Sequence, residues 1–338
     1  MNSSGPLYCR ATDRGSVLIL ALWTIFLLAL LASAVGAYVD ARLTLARAVE
    51  RRVIGYQAAR TGVQRCLAVL AGETNVWDAL SGRWADSPAD FSNVVCGAGV
   101  FTVLSAVEAP DGLVKTKCGA GDEQSRIDLN LARPEVLASP LEEVAGMGAE
   151  SAARLADNLN LARTRAVPGM PGVGVKTGWM DASIQAGPFR AVEELRWVKG
   201  MTPGVFEAVQ RHVTVHGGYR VNLNTAGSVV LRALMRRAGG GTSRGSESLV
   251  RKMLQFRARG GIFKSYIGSG LTEALGPEAK LTEDERRCLY GLAPFVTVAS
   301  DHFRGIVEGG LAGRPGEPRR IEFVWCRTRH KIEYWHED

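Results

Sequence analysis

Few residue groups in this chain have the types and spacing for chemistry, and each fails on its surroundings. Residues 169–177 (GMPGVGVKT) come near a phosphate-binding loop, in which backbone N–H groups cradle phosphates and a lysine follows the second glycine. Gly174 stands five positions after Gly169, but Val175 follows it, Lys176 is one place late, and no apolar strand leads in. Residues 241–245 (GTSRG) match a nucleophile elbow by letters. Ser243 there lies in a glycine-rich polar run, without the buried strand that holds such a serine strained, and the stretch reads as a linker. His212 and His216 are four apart around Val213-Thr214-Val215, a β-branched context rather than the helix of a zinc-binding HExxH. They read as a surface or partly buried strand pair. None of the six cysteines stands in a CxxC pair, which excludes a zinc ribbon and a thioredoxin-type motif. The chain does not read as an enzyme, and no cofactor is expected.

The elements around these positions are more informative. Residues 16–39 (SVLILALWTIFLLALLASAVGAYV) carry no charge. As a helix they would measure about 36 Å at ~1.5 Å per residue, enough to cross a hydrocarbon layer of ~30 Å. A secretory signal's apolar region runs only ~7–15 residues and ends at a small-residue cleavage site, whereas this run continues into more helix. Leu43, Ala46, Val49, Val53, Tyr56, Ala59, Val63, Leu67 and Leu70 recur at three- and four-residue steps, so one rod is expected to about residue 72. Gly36, Gly55 and Gly62 are candidate bends in it. Residues 77–93 read as a loop or short helix. Residues 99–107 and 113–117, β-favouring runs around a Pro110-Asp111-Gly112 turn, predict a hairpin with Cys96 and Cys118 at its base.

An internal repeat follows. Ile127-Asp128-Leu129-Asn130 opens one helical stretch and Val221-Asn222-Leu223-Asn224-Thr225-Ala226 opens another, 94 residues later. An extended apolar pair leading to Asn predicts a strand-to-cap-to-helix corner, with Asn as the cap. Residues 149–165, 192–213, 249–259 and 283–290 read as helices, 168–178 as a loop and 239–246 as a flexible connector. Apolar–polar alternation returns at 295–299, 303–307, 321–326 and 331–335. The fold class is α+β: a small antiparallel sheet interrupted by an α-helical insertion.

The 338 residues, 46% hydrophobic and 22% charged, exclude wholesale disorder and suffice for a sizeable core. The 41 Lys+Arg against 34 Asp+Glu leave a net charge of +7, and a basic balance raises the question of nucleic acid. Residues 130–149 and 195–202 are similar to helix-hairpin-helix units, in which a Gly-containing hairpin offers N–H groups to a DNA phosphate. A membrane-anchored DNA-uptake protein is therefore the alternative reading. Glu142, Glu143 and Glu150 surround the first hairpin, where DNA contact favours Lys or Arg, and the charge is spread rather than clustered.

The leader decides the expectation. A polar segment with Arg10 and Arg14 ends at Gly15, directly against the apolar run, and resembles the type III signal of prepilins and pseudopilins. By that resemblance prepilin peptidase cuts after Gly15 on the cytoplasmic face, and Ser16 becomes the methylated N-terminus of a single-pass inner-membrane protein with a periplasmic C-terminal domain. The usual Glu at the fifth mature position is Leu20 here. In that oxidising compartment Cys96–Cys118 and Cys288–Cys326 are the expected bridges, although sequence does not fix the pairing, and Cys66 is left free.

Three ordered motifs extend the likeness along nearly the whole chain. Gly187-Pro188-Phe189, with Glu193, Glu194 and Leu195 after it, resembles "NGPF-x-S-x-EEL" of the general secretion pathway protein K family. Val198-Lys199-Gly200-Met201-Thr202-Pro203 resembles its "V-x-GMTP". Residues 221–226 (VNLNTA), with Asn222, Asn224 and Ala226, resemble its "VNVNTA", and Asn130 closes a divergent copy. That family typically carries an apolar residue where Leu20 stands. The resemblance implies a pilin-like fold: leader 1–15, membrane helix 16–39 continuing to about 72, β region 73–126 and 291–338, helical insertion 127–290. It implies a minor pseudopilin of a type II secretion system, at the pseudopilus tip with minor pseudopilins I and J. The acidic stretch that holds calcium in some members is short here and shows only Asp181, which speaks against calcium.

Overall fold

The computed structural model describes residues 14–108, 114–164, 187–238, 243–313 and 317–338. Outside them lie residues 1–13 of the leader, the 110–112 turn, the 168–178 loop, Asp181, and residues 239–242 of the expected connector. The chain divides into two units, one ending at Val53 and the other beginning at Ile54. α1, Arg14–Ala71, is one uninterrupted helix. From Val17 through Val53 every side chain of it is exposed.

In the second unit the end of α1 lies on an antiparallel sheet. A short helix α2 (Pro88–Phe91) precedes β1 (Val94–Cys96), β2 (Gly99–Glu108), β3 (Val114–Cys118) and β4 (Gly121–Asp122). After a long insertion come β9 (His302–Leu311), β10 (Arg319–Cys326) and β11 (Lys331–Glu337). The order is β1-β2-β9-β10-β11, with β3 also on β2 and β4 on β9. Period-two alternation produces the buried face: Phe101 and Val103 of β2, Phe303 and Val307 of β9, and Ile321, Phe323 and Trp325 of β10 pack under Ala58, Ala59, Val63, Cys66 and Leu70. Gly55 and Gly62 are contact points against the sheet. A Cβ on Gly62 would stand 2.5 Å from a Val307 methyl, and one on Gly309 would stand 2.4 Å from the Ala59 nitrogen. Small residues on both sides let the helix axis approach the strands closely.

The insertion contains β5 (Ile127–Asp128), α3 (Pro134–Glu143), α4 (Ala149–Thr164), α5 (Pro203–Val209) and β6 (Val213–Thr214), then β7 (Val221–Asn222), α6 (Ser228–Ala238), α7 (Ser243–Ala258), α8 (Gly268–Leu275), α9 (Glu283–Leu292) and β8 (Val296–Thr297). β5 pairs with β6 and β7 with β8, both parallel. Each repeat thus begins and ends at one place, and the two share a single apolar core. The insertion runs past residue 290, since α9 ends at Leu292 and β8 still pairs with β7.

Several expectations are corrected. The 192–213 stretch is a 3-10 segment Val192–Trp197, then α5, then β6, because Gly200 takes φ +94° and Pro203 restarts the chain as a new helix. The connector is shorter than expected, with α7 already begun at Ser243. Neither expected disulfide forms: Cys66, Cys96, Cys118, Cys288 and Cys326 are all free. Cys96 pairs with Gly99 and Cys118 with Leu104, five positions along β2, which is ~17 Å at ~3.4 Å per residue and far beyond a bridge's reach. The hairpin's base lies at Leu104, not at the start of β2. Cys288 belongs to the helical core, 3.8 Å from the Ser246 hydroxyl, while Cys326 closes β10 of the sheet.

Candidate functional site

Two parts of the molecule stand out, one in each unit. The first is the exposed part of α1, long and apolar enough to cross a membrane. Gly15 and Ser16 stand in its first turn, and Leu20 is exposed among Leu18, Ile19 and Leu22.

The second is the duplicated corner in the insertion. Asn130 accepts from the Phe189 N–H at 2.7 Å and donates to the Phe189 carbonyl at 2.9 Å. Asn224 does the same to Phe263, at 2.8 and 2.9 Å. A side-chain amide can satisfy one backbone N–H and one C=O together, which is what ties a distant loop to the corner. The capping expected of Asn130 belongs elsewhere: Arg133 precedes α3 without a side-chain cap. Asp128 Oδ1 instead accepts from the Asn130 and Leu131 N–H groups, and Asn222 Oδ1 accepts from Asn224 N–H. Arg163 at the end of α4 donates to the Leu129 carbonyl, and Arg257 at the end of α7 donates to that of Ala226. Phe263, Arg163 and Arg257 escaped the sequence reading, and Phe189 entered it only as part of a motif, not as the partner of Asn130. The available signal was Gly187-Pro188-Phe189 against Gly261-Ile262-Phe263.

The remaining motif residues act locally. Leu195 is buried, and Glu194 accepts from the Arg190 N–H at 3.2 Å. Gly200 takes its positive φ beside Leu155, and Thr202 caps α5. Ala226 is fully buried.

Where insertion meets sheet, the contacts turn polar. Asn222, fully buried, donates to the Asp78 carbonyl, to Asp122 Oδ2 and to the Ser300 hydroxyl. Asp122 also receives Thr225 at 2.5 Å and Ser300 at 2.7 Å. Burial pushes its carboxyl up to about 6, against the pull of those donors. Asp78 is clamped by Arg327 through two bonds of 2.9 and 3.0 Å. Beside this network lies a cavity of about 460 Å³ lined by Glu108, Glu193, His212, His216, Arg304 and Tyr334, among others. Burial would raise Glu123 there, but Arg126 and Arg304 hold it below its ordinary range. Burial pushes His212 down to about 4. His212 and His216 turn to different carboxylates, Glu108 at 3.7 Å and Glu333 at 4.0 Å, and do not form a pair.

Of the first hairpin's acidic residues, Glu142 and Glu143 are tied to α6, while Glu150 stays exposed in a pair with Arg154. Glu142 pairs with Arg236 at 2.6 Å and Glu143 with Arg232 at 2.5 Å, joining the end of α3 to α6. The DNA reading is not favoured.

No protein-family model matches the chain, and no curated protein matches it. Among solved structures, it is similar to a chain of the GspK-GspI-GspJ complex from the type 2 secretion system of enterotoxigenic Escherichia coli, with a TM-score of 0.55 over 87% of this chain and 99% of that chain. The fold is GspK-like. At 13% identity the likeness is one of architecture: the long helix, the antiparallel sheet and the further helices recur although most side chains differ.

Proposed function

We propose that this protein is a minor pseudopilin of a type II secretion system, acting by assembly rather than catalysis. The observation that carries the reading is the GspK-like fold, with a helical insertion between strands β4 and β9 of the sheet. Support comes also from the exposed apolar helix, which suits single-pass anchoring in an inner membrane with the second unit in the periplasm. The neighbour in the solved complex is accompanied by GspI and GspJ, so the partners of this chain are its own system's I and J pseudopilins. Prepilin peptidase would cut after Gly15 and expose Ser16 for methylation. Leu20 in place of an acidic residue removes a buried charge that would otherwise need a partner in lipid, which fits a terminal position at the tip.

The test uses the full chain in membranes beside its cognate prepilin peptidase and tagged I and J proteins. Wild type is expected to shorten at Gly15 and to co-purify with both partners, and Gly15→Leu to stay unshortened. A wild-type chain that is never shortened, or that captures neither partner, overturns the reading. A salt-sensitive shift of DNA would favour the uptake alternative instead.

A further inference from the structure

One cluster of ligand-type side chains lies apart from the motifs, at the end of the sheet where β10 turns into β11. His302 opens β9 and is the direct cross-strand partner of Cys326, which ends β10. Cross-strand partners place their side chains on one face, ~4.5–5.5 Å apart at Cβ. That face is the one turned from α1, because Phe303 and Trp325, their neighbours in sequence, fill the core under the helix. Glu333 arrives by a different device. The β10–β11 register jumps from Val324↔Tyr334 to Trp325↔Ile332, so Glu333 is the extra residue of a bulge. A bulge re-aims side chains, and here it gathers Glu333 beside His302 and Cys326.

One donor atom from each of His302, Cys326 and Glu333 lies within 4.8 Å of the other two. Cys326 is 2% exposed. His302 Nε2 and Glu333 Oε2 stand 3.2 Å apart. His302 Nδ1 is buried without a hydrogen-bond partner, whereas Glu333 Oε1 is ion-paired at 3.0 Å with Arg329, which lies largely in solvent. A buried ring nitrogen left unpaired in this way calls for an explanation, and an ion is one that fits. A further imidazole, His216 of the insertion, brings Nδ1 to 4.0 Å from Glu333 Oε2.

We propose that His302, Cys326 and Glu333 form a zinc site. An imidazole nitrogen, a thiolate and a carboxylate oxygen suit a borderline-soft divalent ion, and all three are accepted tetrahedral zinc ligands at ~2.0–2.3 Å. Small inward movements of three side chains on rigid strands complete the triad, and the Cys326 thiol gives up its proton to solvent as the metal binds. The ion would staple β11, the terminal edge strand, to β9 and β10. The proposal is independent of the assembly reading: the site can hold zinc whatever the chain assembles with.

The test uses full-length, tag-free protein in detergent micelles, stripped of metal and then dialysed against Zn²⁺. Elemental analysis is expected to find one zinc retained per chain. Co²⁺ in its place is expected to give a thiolate-to-cobalt charge-transfer band, which Cys326→Ser abolishes and Cys96→Ser leaves intact. His302→Gln and Glu333→Gln should each weaken zinc by more than the ~10–100-fold that loss of an outer-shell partner costs. Wild-type protein that keeps no zinc at micromolar free metal, or that shows no cobalt–thiolate band, overturns the proposal whether or not the variants fold. A band that survives Cys326→Ser overturns it as well.

Discussion

Asn224 and Asn130 do the same work in different settings. Asn224 is almost fully buried, whereas Asn130 is half-buried, so equal deletions should differ in cost. Asn224→Ala leaves the Phe263 N–H and C=O unpaired in the core and is expected to cost about 1–3 kcal/mol per stranded group. Asn130→Ala should cost less, and denaturant unfolding of both variants measures the difference. Asp122 gives a pH signature of definite sign. Its folded carboxyl titrates near 6, above the unfolded value of ~3.9, so its contribution is complete below the unfolded value and is lost as pH rises through about 6. Wild type is therefore expected to lose stability from pH 4 to 7 relative to Asp122→Asn, measured as paired unfolding curves; parallel profiles would refute this. At this scale the sequence was half legible. The repeated Asn pointed to a corner, but its partners Phe189 and Phe263 lie 59 and 39 residues away, and spacing gives no sign of such pairings.

At the scale of elements, the decisive contact is α1 against β2 and β9. A side chain on Gly62 meets Phe101 and Val307 at once, whereas Gly36 has open space around it. Gly62→Val is expected to destabilise the second unit by about 1–3 kcal/mol through overpacking, and Gly36→Val to leave it unchanged. Thermal unfolding followed by circular dichroism compares the two, and equal stability of both variants would refute the close-approach account. Strong periodicity made α1, β2, β9, β10 and β11 readable in advance. The extended pairs at 127 and 221, the β-branched run at 213–215 and the alternation at 295–299 marked β5 to β8, but their pairing of β5 with β6 and β7 with β8 was not readable, because parallel pairing leaves no turn to recognise. The Cys96–Cys118 expectation failed for a related reason: it took the hairpin's visible turn and extended it one strand too far, onto β1.

For the whole molecule, the second unit carries both hydrophobic cores, one of helices and one of helix on sheet. A chain starting at Ile54 is expected to unfold cooperatively and to remain soluble without detergent, and sedimentation with calorimetry checks it. Aggregation of that fragment would show that the cores depend on the exposed helix. The net charge mattered less than its distribution, since Glu142 and Glu143, which argued against DNA from sequence, prove to be ties from α3 to Arg236 and Arg232 of α6.

The pairing of β2 with β9 sets a problem in time. Gly99 bonds in register with Leu311, so β2 leaves the ribosome roughly 200 residues before its central partner exists, an interval of ~10–40 s at ~5–20 residues per second. A bare chain of that length would close slowly and leave an apolar strand open to aggregation meanwhile. Here the interval is filled by two repeats whose own ends are paired, β5 with β6 and β7 with β8, and each can be complete before β9 is translated. At the two ends of the insertion Ser300 donates to Asp122 at 2.7 Å, and β4 pairs directly with β9, so these ends hold the two parts of the sheet side by side. The insertion that interrupts the sheet in sequence thus brings its two halves together at one place.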